Sequence, residues 1–331
     1  MRMNSNNMSL VRPISRQRGL TLVELMVGLV IGIVISLAAS ALYLATRESS
    51  RAAQGHTDIN ETGKIALDMI GRELQKAGFY PAQFTTPSDV AHSGRYYNPT
   101  TYAAFTYGLS GCDDKAYDPA THACSSTTTT GDTVIISYFS SPEFGTSSLL
   151  GNTNDCNRQA VSGDSVNTPL AAASMPLFVS NRFGLSGLVT YTAPDGSTVS
   201  TRNLTCQGNG ADSTAPQSMI QGVDDLVIRY GVSAGNGVQS PTAFRPATGA
   251  SGVTSLSTTS DGLNPWQRVT AVSVCIEVRS MDNNRLEDKS GSERTYVNCR
   301  GSTITPTDKY LHKVFTRVFA VRNNLNAVGT F

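Results

Sequence analysis

The segment that decides the fold is residues 16–39, RQRGLTLVELMVGLVIGIVISLAA, near the N-terminus. It joins a basic flank to an apolar run, and the 21 residues from 25 to 45 carry no charge. An α-helix rises about 1.5 Å per residue, so this run is roughly 30 Å long, which matches the hydrocarbon core of a bilayer. The pattern predicts a transmembrane helix. Two residues are unusual for one: Gly19 before the run and Glu24 within its first turns.

Three ordinary interpretations leave at least one of these residues unexplained. A secretory signal could end at the A-x-A-like residues 39–41, but its apolar region would span only about 7–15 residues. A plain single-pass anchor needs neither Gly19 nor Glu24, and a charge at the centre of a membrane helix costs about 2.5–3.5 kcal/mol. A glutamate that reaches the lipid interface from the helix end is the third interpretation, but this side chain is short for that.

Residues 19–24, GLTLVE, resemble the cleavage and methylation signal of type IV prepilins. The resemblance implies that a prepilin peptidase/methyltransferase cuts after Gly19 on the cytoplasmic side and N-methylates Leu20. Glu24 would then be the fifth residue of the mature chain. In the family this glutamate pairs with the N-terminal amine of a neighbouring subunit and sets its register. A buried carboxylate is tolerable when paired and costly when alone. Leu20 stands where the family more often has phenylalanine.

Small residues recur at every fourth position of the apolar run. On a helix they form a stripe that lets another membrane helix approach closely, although glycine is also frequent in membrane helices in general. The stripe predicts a helix-packing face made of Gly28, Gly32, Ser36 and Ser40. The basic residues precede the run, which predicts a cytoplasmic N-terminus and an exported remainder, because positive flanks stay inside.

Beyond residue 45 the sequence pattern predicts one amphipathic helix followed by a β-rich head. Apolar residues follow helical spacing to Ala77, and Gly78 and Pro81 stop the helix. Strands are predicted at 132–140, 219–232, 268–280 and 312–324, with a hairpin at 187–206 and loops at 82–130 and 233–266.

The expected fold is α+β and type IV pilin-like, with the long helix packed on a mostly antiparallel sheet that carries long loops. The resulting domains are a leader (1–19), a transmembrane and assembly helix (20–45), its amphipathic continuation (46–80) and a periplasmic or extracellular head (81–331).

Two head segments are similar to PilW-type minor pilins of the type IV pilus, namely residues 219–232 and 316–324. This implies a minor pilin in the inner membrane that helps to initiate the pilus and then lies at or near the fibre tip on the cell surface. Its partners would be other minor pilins, the major pilin and the inner-membrane assembly machinery. A minor pseudopilin of type II secretion, J-like, is one alternative. A tip adhesion module, built on the loops at 82–130 and 233–266, is another.

The six cysteines form no CxxC pair and lack zinc-site spacing. Their even number in polar sequence predicts disulfides in an oxidising compartment, with free buried thiols as the alternative. Six cysteines allow 15 pairings, of which we favour sequential neighbours. The pairs are Cys112–Cys124, Cys156–Cys206 and Cys275–Cys299.

The remaining patterns argue against catalysis, metal binding and nucleic-acid binding. The sequence has no P-loop, no GxSxG and no HExxH, so no enzymatic function and no cofactor are expected. The aspartate pairs 113–114 and 224–225 lack the spacing of a Ca²⁺ loop and predict solvated turns. The net charge is +1, and about −3 without residues 1–19, so nucleic-acid binding is not expected.

Overall fold

The computed structural model describes residues 19, 21–79, 108–118, 121, 123–140, 154–159, 161, 177–192, 196, 198–210, 215–235, 237–259, 263–281, 295–308 and 310–329. The chain divides into two compact units, Met1–Arg51 and Ala52–Phe331. The predicted leader up to residue 18, and Leu20, lie outside the described residues.

A single long helix, α1, runs over Leu22–Lys76 and confirms the predicted helix. Residues 20–80 contain no proline, so nothing in this stretch removes a helical hydrogen bond. In the second unit α1 buries the predicted apolar face, and Ile59, Ala66, Ile70, Leu74 and Ala77 are at most 3% exposed. The helix ends because Gly78 adopts a positive φ of 70°, which glycine accepts without steric cost.

The strands of the head pair antiparallel throughout the described residues. They are β1 (Leu109–Cys112), β2 (Lys115–Asp118), β3 (Ala123–Thr128), β4 (Thr133–Ser140), β5 (Leu177–Leu185), β6 (Val189–Thr192), β7 (Thr198–Thr201), β8 (Asn203–Gln207), β9 (Gln217–Gln221), β10 (Val223–Gly235), β11 (Val238–Arg245), β12 (Val269–Arg279), β13 (Tyr296–Val297), β14 (Thr303–Ile304) and β15 (His312–Ala320). Short 3-10 helices occur at Val253–Ser255 and Pro265–Arg268, and α2 spans Arg322–Gly329.

Two sheets form most of the head. One has the strand order β1-β4-β5-β8-β9 and the other β11-β10-β12-β15, while β2-β3, β6-β7 and β13-β14 make two-stranded pairs. The strand predicted at 268–280 is confirmed as β12, and the alternate residues Val272, Val274, Ile276 and Val278 on one of its faces are all fully buried. They join side chains of α1 and of both sheets in one hydrophobic core. The head is therefore the predicted α+β arrangement.

Two glycines of α1 allow β15 to pack tightly against the helix. A Cβ atom at Gly63 would lie 2.4 Å from the ring of Phe315, and one at Gly71 would lie 2.1 Å from the ring of Phe319. Each aromatic ring thus occupies the space that a larger helix residue would fill. The seam continues at Lys313, whose Nζ donates to Asn60 Oδ1 at 2.7 Å.

Several predictions about the head were wrong or incomplete. The predicted loop at 82–130 contains β1, β2 and β3, whose short Ser/Thr/Gly-rich sequences show no clear alternation. The predicted loop at 233–266 contains β11, which tolerates Pro241 because it is an edge strand.

Three more boundaries differ from the predicted strands. The predicted strand at 219–232 is two strands, β9 and β10, separated at Gly222, where φ is 79°. The predicted last strand ends at Ala320, after which α2 begins. The hairpin is confirmed, since β6 and β7 pair around Gly196.

Candidate assembly site

The apolar half of α1 presents all of its side chains to the surroundings. Every described residue from 21 to 51 is exposed. The helix is long and apolar enough to cross a membrane by length and composition. A helix that is apolar on all sides is stable only where lipid or other apolar helices surround it. This half of α1 therefore fits the inner-membrane anchor of a pilin.

The predicted processing site lies immediately before the first turn of α1. Gly19 is exposed, outside the helix, with no atom within 4 Å of the position that a Cβ would take. Leu20, the predicted methylated residue, lies outside the described residues. Glu24 is the third residue of α1, and Thr21 directly precedes the helix.

Thr21 and Glu24 cap the start of the helix reciprocally. The Glu24 backbone N–H donates to Thr21 Oγ1 at 3.2 Å, while the Thr21 N–H donates to Glu24 Oε2 at 3.1 Å. Thr21 Oγ1 also donates to Oε2, at 3.2 Å. This capping box satisfies amide groups that have no partner in the first helical turn.

Sequence reasoning did not assign this role to Thr21. The signal was present as a T-x-x-E pattern before an apolar run. The capping box adds a local function for Glu24 that the resemblance to prepilins did not contain.

The four stripe residues leave a shallow surface on the helix: the two glycines have free space beside them, and the two serines use their hydroxyl groups in hydrogen bonds within the helix. No atom lies within 4 Å of a Cβ placed on Gly28 or Gly32. Ser36 Oγ donates to the carbonyl of Gly32, and Ser40 Oγ donates to that of Ser36, each at 2.8 Å. The stripe thus offers shallow positions without an unpaired hydroxyl donor.

In the head, the structure pairs the six cysteines as sequential neighbours, which is the pairing that the sequence favoured. The disulfides are Cys112–Cys124, Cys156–Cys206 and Cys275–Cys299, with Cα–Cα distances of 5.6, 6.4 and 5.7 Å. Disulfides of this kind persist in oxidising compartments. They tie β1 to β3, the turn at 155–158 to β8, and β12 to the β13–β14 turn.

The prediction of solvated turns was correct for one aspartate pair: Asp113 and Asp114 lie in the partly exposed turn between β1 and β2, whereas Asp224 and Asp225 lie within β10. Asp113 accepts from the backbone N–H groups of Ala247 and Thr248, at 3.0 and 2.6 Å. Asp224 pairs with Arg279 at 3.2 Å. Among the described residues, no group of three or more His, Cys, Asp or Glu side chains could hold a metal ion.

Asp114 and Asp225 are held by one arginine, Arg300, on the turn between β13 and β14. Its guanidinium donates to Asp114 at 2.6 and 2.9 Å and to Asp225 at 3.0 and 3.3 Å. The hydrogen bonds from Arg300 hold the pKa of Asp114 below its usual value. Because Cys299 is disulfide-bonded to β12, this clamp joins two disulfide-containing segments.

Asp132 joins the two large sheets. Its backbone N–H donates to the carbonyl of Leu226, and its carboxylate accepts from the N–H of Ile228, both at 2.7 Å. Arg229 lies 3.2 Å from the same carboxylate oxygen. Burial raises the pKa of Asp132 to about 6, and the hydrogen bonds oppose that increase. β11 pairs with β10 only from Tyr230 onward, so Asp132 takes the place of a pairing partner at Leu226 and Ile228 of β10.

A cavity of about 200 Å³ lies beside the start of β15 and is lined by His56 and His312, which are far apart in sequence. Both ring nitrogens of His312 face carboxylates: Nε2 is 3.0 Å from Asp308 and Nδ1 is 3.7 Å from Glu277. The ring stacks on Tyr296, whose hydroxyl donates to Glu277. Burial opposes protonation, but the carboxylates outweigh it and raise the pKa of His312.

Comparisons with known proteins agree with these features. Residues 190–323 match the family model described as Type IV Pilus-assembly protein W, and residues 14–40 match the prokaryotic N-terminal methylation motif. No curated protein sequence matches the chain. Among solved structures, the Type IV-like pilin TTHA1219 from Thermus thermophilus is similar over 80% of this chain and 97% of its own, with a TM-score of 0.37 and 9% identity.

The methylation motif covers Gly19 and Glu24, and the pilus-assembly match covers most of the strands from β6 to β15. Both matches indicate a structural protein of the pilin class, which interacts with pilus components. Over residues 190–323 the chain is thus similar to PilW-type pilus-assembly proteins, and over residues 14–40 it carries the N-terminal methylation motif of type IV pilins.

Proposed function

We propose that this minor pilin helps to initiate the type IV pilus and remains at or near the fibre tip. Prepilin peptidase cuts after Gly19 and N-methylates Leu20. Until assembly, the subunit waits in the inner membrane with its N-terminus cytoplasmic and its head periplasmic. It then joins other minor pilins and the major pilin, with the help of the inner-membrane assembly machinery. The description of the matching family, a pilus-assembly protein, supports a role in initiation.

The observation that carries the proposal is the environment of Glu24. Both hydrogen bonds that the carboxylate accepts involve Oε2, whereas Oε1 accepts none within the described part of the chain. Glu24 can therefore cap its own helix and still accept from the cationic amine of a neighbour, whose reference pKa is about 7.7–8.0. In hydrocarbon such a pair is far less costly than an isolated carboxylate.

The stripe supports the same proposal from a second direction. Membrane helices associate through small residues that let their backbones approach, because lipid tails are as apolar as the side chains. Gly28 and Gly32 supply that open surface, and Ser36 and Ser40 satisfy their hydroxyl groups locally. A neighbouring pilin helix can lie along this face without burying an unpaired donor.

Three variants separate the charge of Glu24 from its capping role. Glu24→Gln keeps a side chain that can complete the capping box but removes the charge. Thr21→Val removes the cap and keeps the charge, and Glu24→Ala removes both. We expect all three to be cleaved after Gly19, and both Glu24 variants to be depleted from sheared surface fibres. Mass spectrometry of the N-terminal peptide in membranes and fibres measures both steps.

Two outcomes would contradict the proposal. Normal fibre incorporation of Glu24→Gln would show that capping, and not the charge, is what Glu24 supplies. Loss of exoprotein secretion with intact twitching, on deletion of the whole chain, would assign the subunit to a type II secretion fibre.

A further inference from the structure

Two arginines follow the apolar run on the flank that the proposed topology exports. Arg47 and Arg51 lie two and six residues beyond Ala45. Positive residues close to a membrane segment favour the cytoplasmic side, so this placement opposes the orientation set by the four arginines of residues 1–19. Such a pair calls for a specific role.

The two arginines share a helical face with Tyr43. Residues four apart lie on the same side of an α-helix, and Tyr43, Arg47 and Arg51 have that spacing within the unbroken α1. Tyr43 is 65% exposed, and both arginines are exposed as well. Neither guanidinium forms an ion pair or hydrogen bond with any residue that the structure describes, including the adjacent Glu48.

The distances along the helix match the depth of lipid headgroups. With about 1.5 Å per residue, Arg47 lies roughly 3 Å beyond Ala45, within a polar layer about 5–8 Å thick. Arg51 lies roughly 9 Å beyond Ala45, at the outer edge of that layer, and its long side chain can reach back into it. Tyr43 precedes the boundary, where tyrosine is enriched because its ring is apolar and its hydroxyl polar. A guanidinium binds phosphate oxygens through two parallel N–H groups.

We propose that Tyr43, Arg47 and Arg51 form a binding surface for anionic phospholipid headgroups in the periplasmic leaflet of the inner membrane. The surface holds the stored subunit at a defined depth until assembly extracts it. The inference rests on the membrane stage of the proposed function. One arginine within the headgroup layer and one at its outer edge, one and two helical turns after an interfacial tyrosine, fit lipid phosphates better than an acidic protein partner, which needs no such depth.

Hydrogen exchange of the full chain in nanodiscs tests this surface locally. The discs contain phosphatidylcholine alone or phosphatidylcholine mixed with phosphatidylglycerol, and the readout is the exchange rate of residues 43–51. Phosphatidylglycerol should slow local opening of the wild-type helix on the order of 30-fold. Arg47→Gln/Arg51→Gln should abolish this difference. Lys64→Gln/Arg322→Gln, which removes two exposed charges elsewhere, should retain it.

Other results would overturn the inference. Equal exchange of the wild type in both discs would do so, as would protection that appears only when other minor pilins are added. Protection by inorganic phosphate in phosphatidylcholine discs would reduce the surface to a general anion site. The double variant should still be cleaved after Gly19, so a failure here is distinct from a failure of the Glu24 experiment.

Discussion

The two halves of α1, the membrane half (residues 22–51) and the head half (residues 52–76), place glycine in opposite environments. Gly28 and Gly32 have nothing within 4 Å of a hypothetical Cβ, whereas Gly63 and Gly71 are filled by aromatic rings of β15. Glycine within a helix costs about 1 kcal/mol relative to alanine, so each one calls for a close neighbour. The head half finds its neighbour within the same chain. For Gly28 and Gly32 the proposed function supplies the neighbour from another molecule, namely another pilin helix.

The largest difference between the halves should come from the disulfides, since the membrane half contains no cysteine. Cys156→Ala/Cys206→Ala removes a cross-link between residues separated by 50 positions. Loop-closure entropy predicts a loss of about 4 kcal/mol in the free energy of unfolding of the head. Urea denaturation followed by fluorescence of Trp266, which is 6% exposed in the head core, measures this loss.

A matched control removes the shorter link, Cys112–Cys124, with a separation of 12. Its expected cost is about 3 kcal/mol. Hydrogen exchange of residues 22–51 should be the same in both variants. Faster exchange there would show that the membrane half depends on the head, and the comparison would fail.

The next largest effect should come from Gly71, where the ring of Phe319 occupies the space that a side chain would take. Gly71→Ala places a methyl group within 2.1 Å of the Phe319 ring, and overpacking of this kind costs about 1–3 kcal/mol despite the better helix propensity of alanine. Thermal unfolding of the head measures the loss. Phe319→Leu removes the ring, so the double variant should be less destabilised than the sum of the single variants. Strict additivity would show that the ring does not determine the cost at Gly71.

The same contrast explains what the sequence could predict. The apolar run, the helical spacing up to Ala77 and the β-branched strand at 268–280 are local patterns, so they were recognised. β5 was missed because Asn181 and Arg182 interrupt its apolar pattern. Asn181 is nevertheless fully buried, because its amide donates to Glu73 of α1, 108 residues away, at 2.8 Å.

The candidate site shows the same division. Gly19 and Glu24 were recognised because six consecutive residues carry the processing signal, and the Thr21 cap lay within reach of the same local pattern. By contrast, Arg300 is 186 residues from Asp114, and no local pattern connects them. Interactions between distant segments depend on topology, which the sequence pattern did not give.

A smaller effect concerns pH and is confined to the head. The pKa of His312 is raised in the folded state, so its contribution to stability is present below the unfolded value of about 6.5 and is lost as the pH rises through the folded value. Thermal unfolding should therefore become easier from pH 6 to pH 8. The groups that face the ring are Asp308, Glu277, Asp224 and Tyr296.

His312→Gln should flatten this pH dependence, because glutamine does not titrate. His56→Gln is the matched control, since it changes a histidine on the same cavity for which no carboxylate contact is present among the described residues. An unchanged slope in His312→Gln would assign the pH dependence to another group. Asp132 is not that group, because its pKa of about 6 places its effect on stability mainly below pH 6.

The smallest expected effect on the isolated subunit comes from Gly28, in the apolar half of α1, where no atom occupies the space beside the glycine. Gly28→Ala meets no atom within 4 Å, so it should stabilise the helix of the free subunit by up to about 1 kcal/mol through helix propensity alone. In a fibre the same methyl group would hold a neighbouring helix away from the stripe. We expect normal cleavage after Gly19, unchanged head stability and reduced recovery in sheared fibres. Leu29→Ala, on the same exposed turn but off the stripe, is the control. If Gly28→Ala enters fibres as well as Leu29→Ala does, glycine at this position reflects its frequency in membrane helices and the stripe is not a packing face.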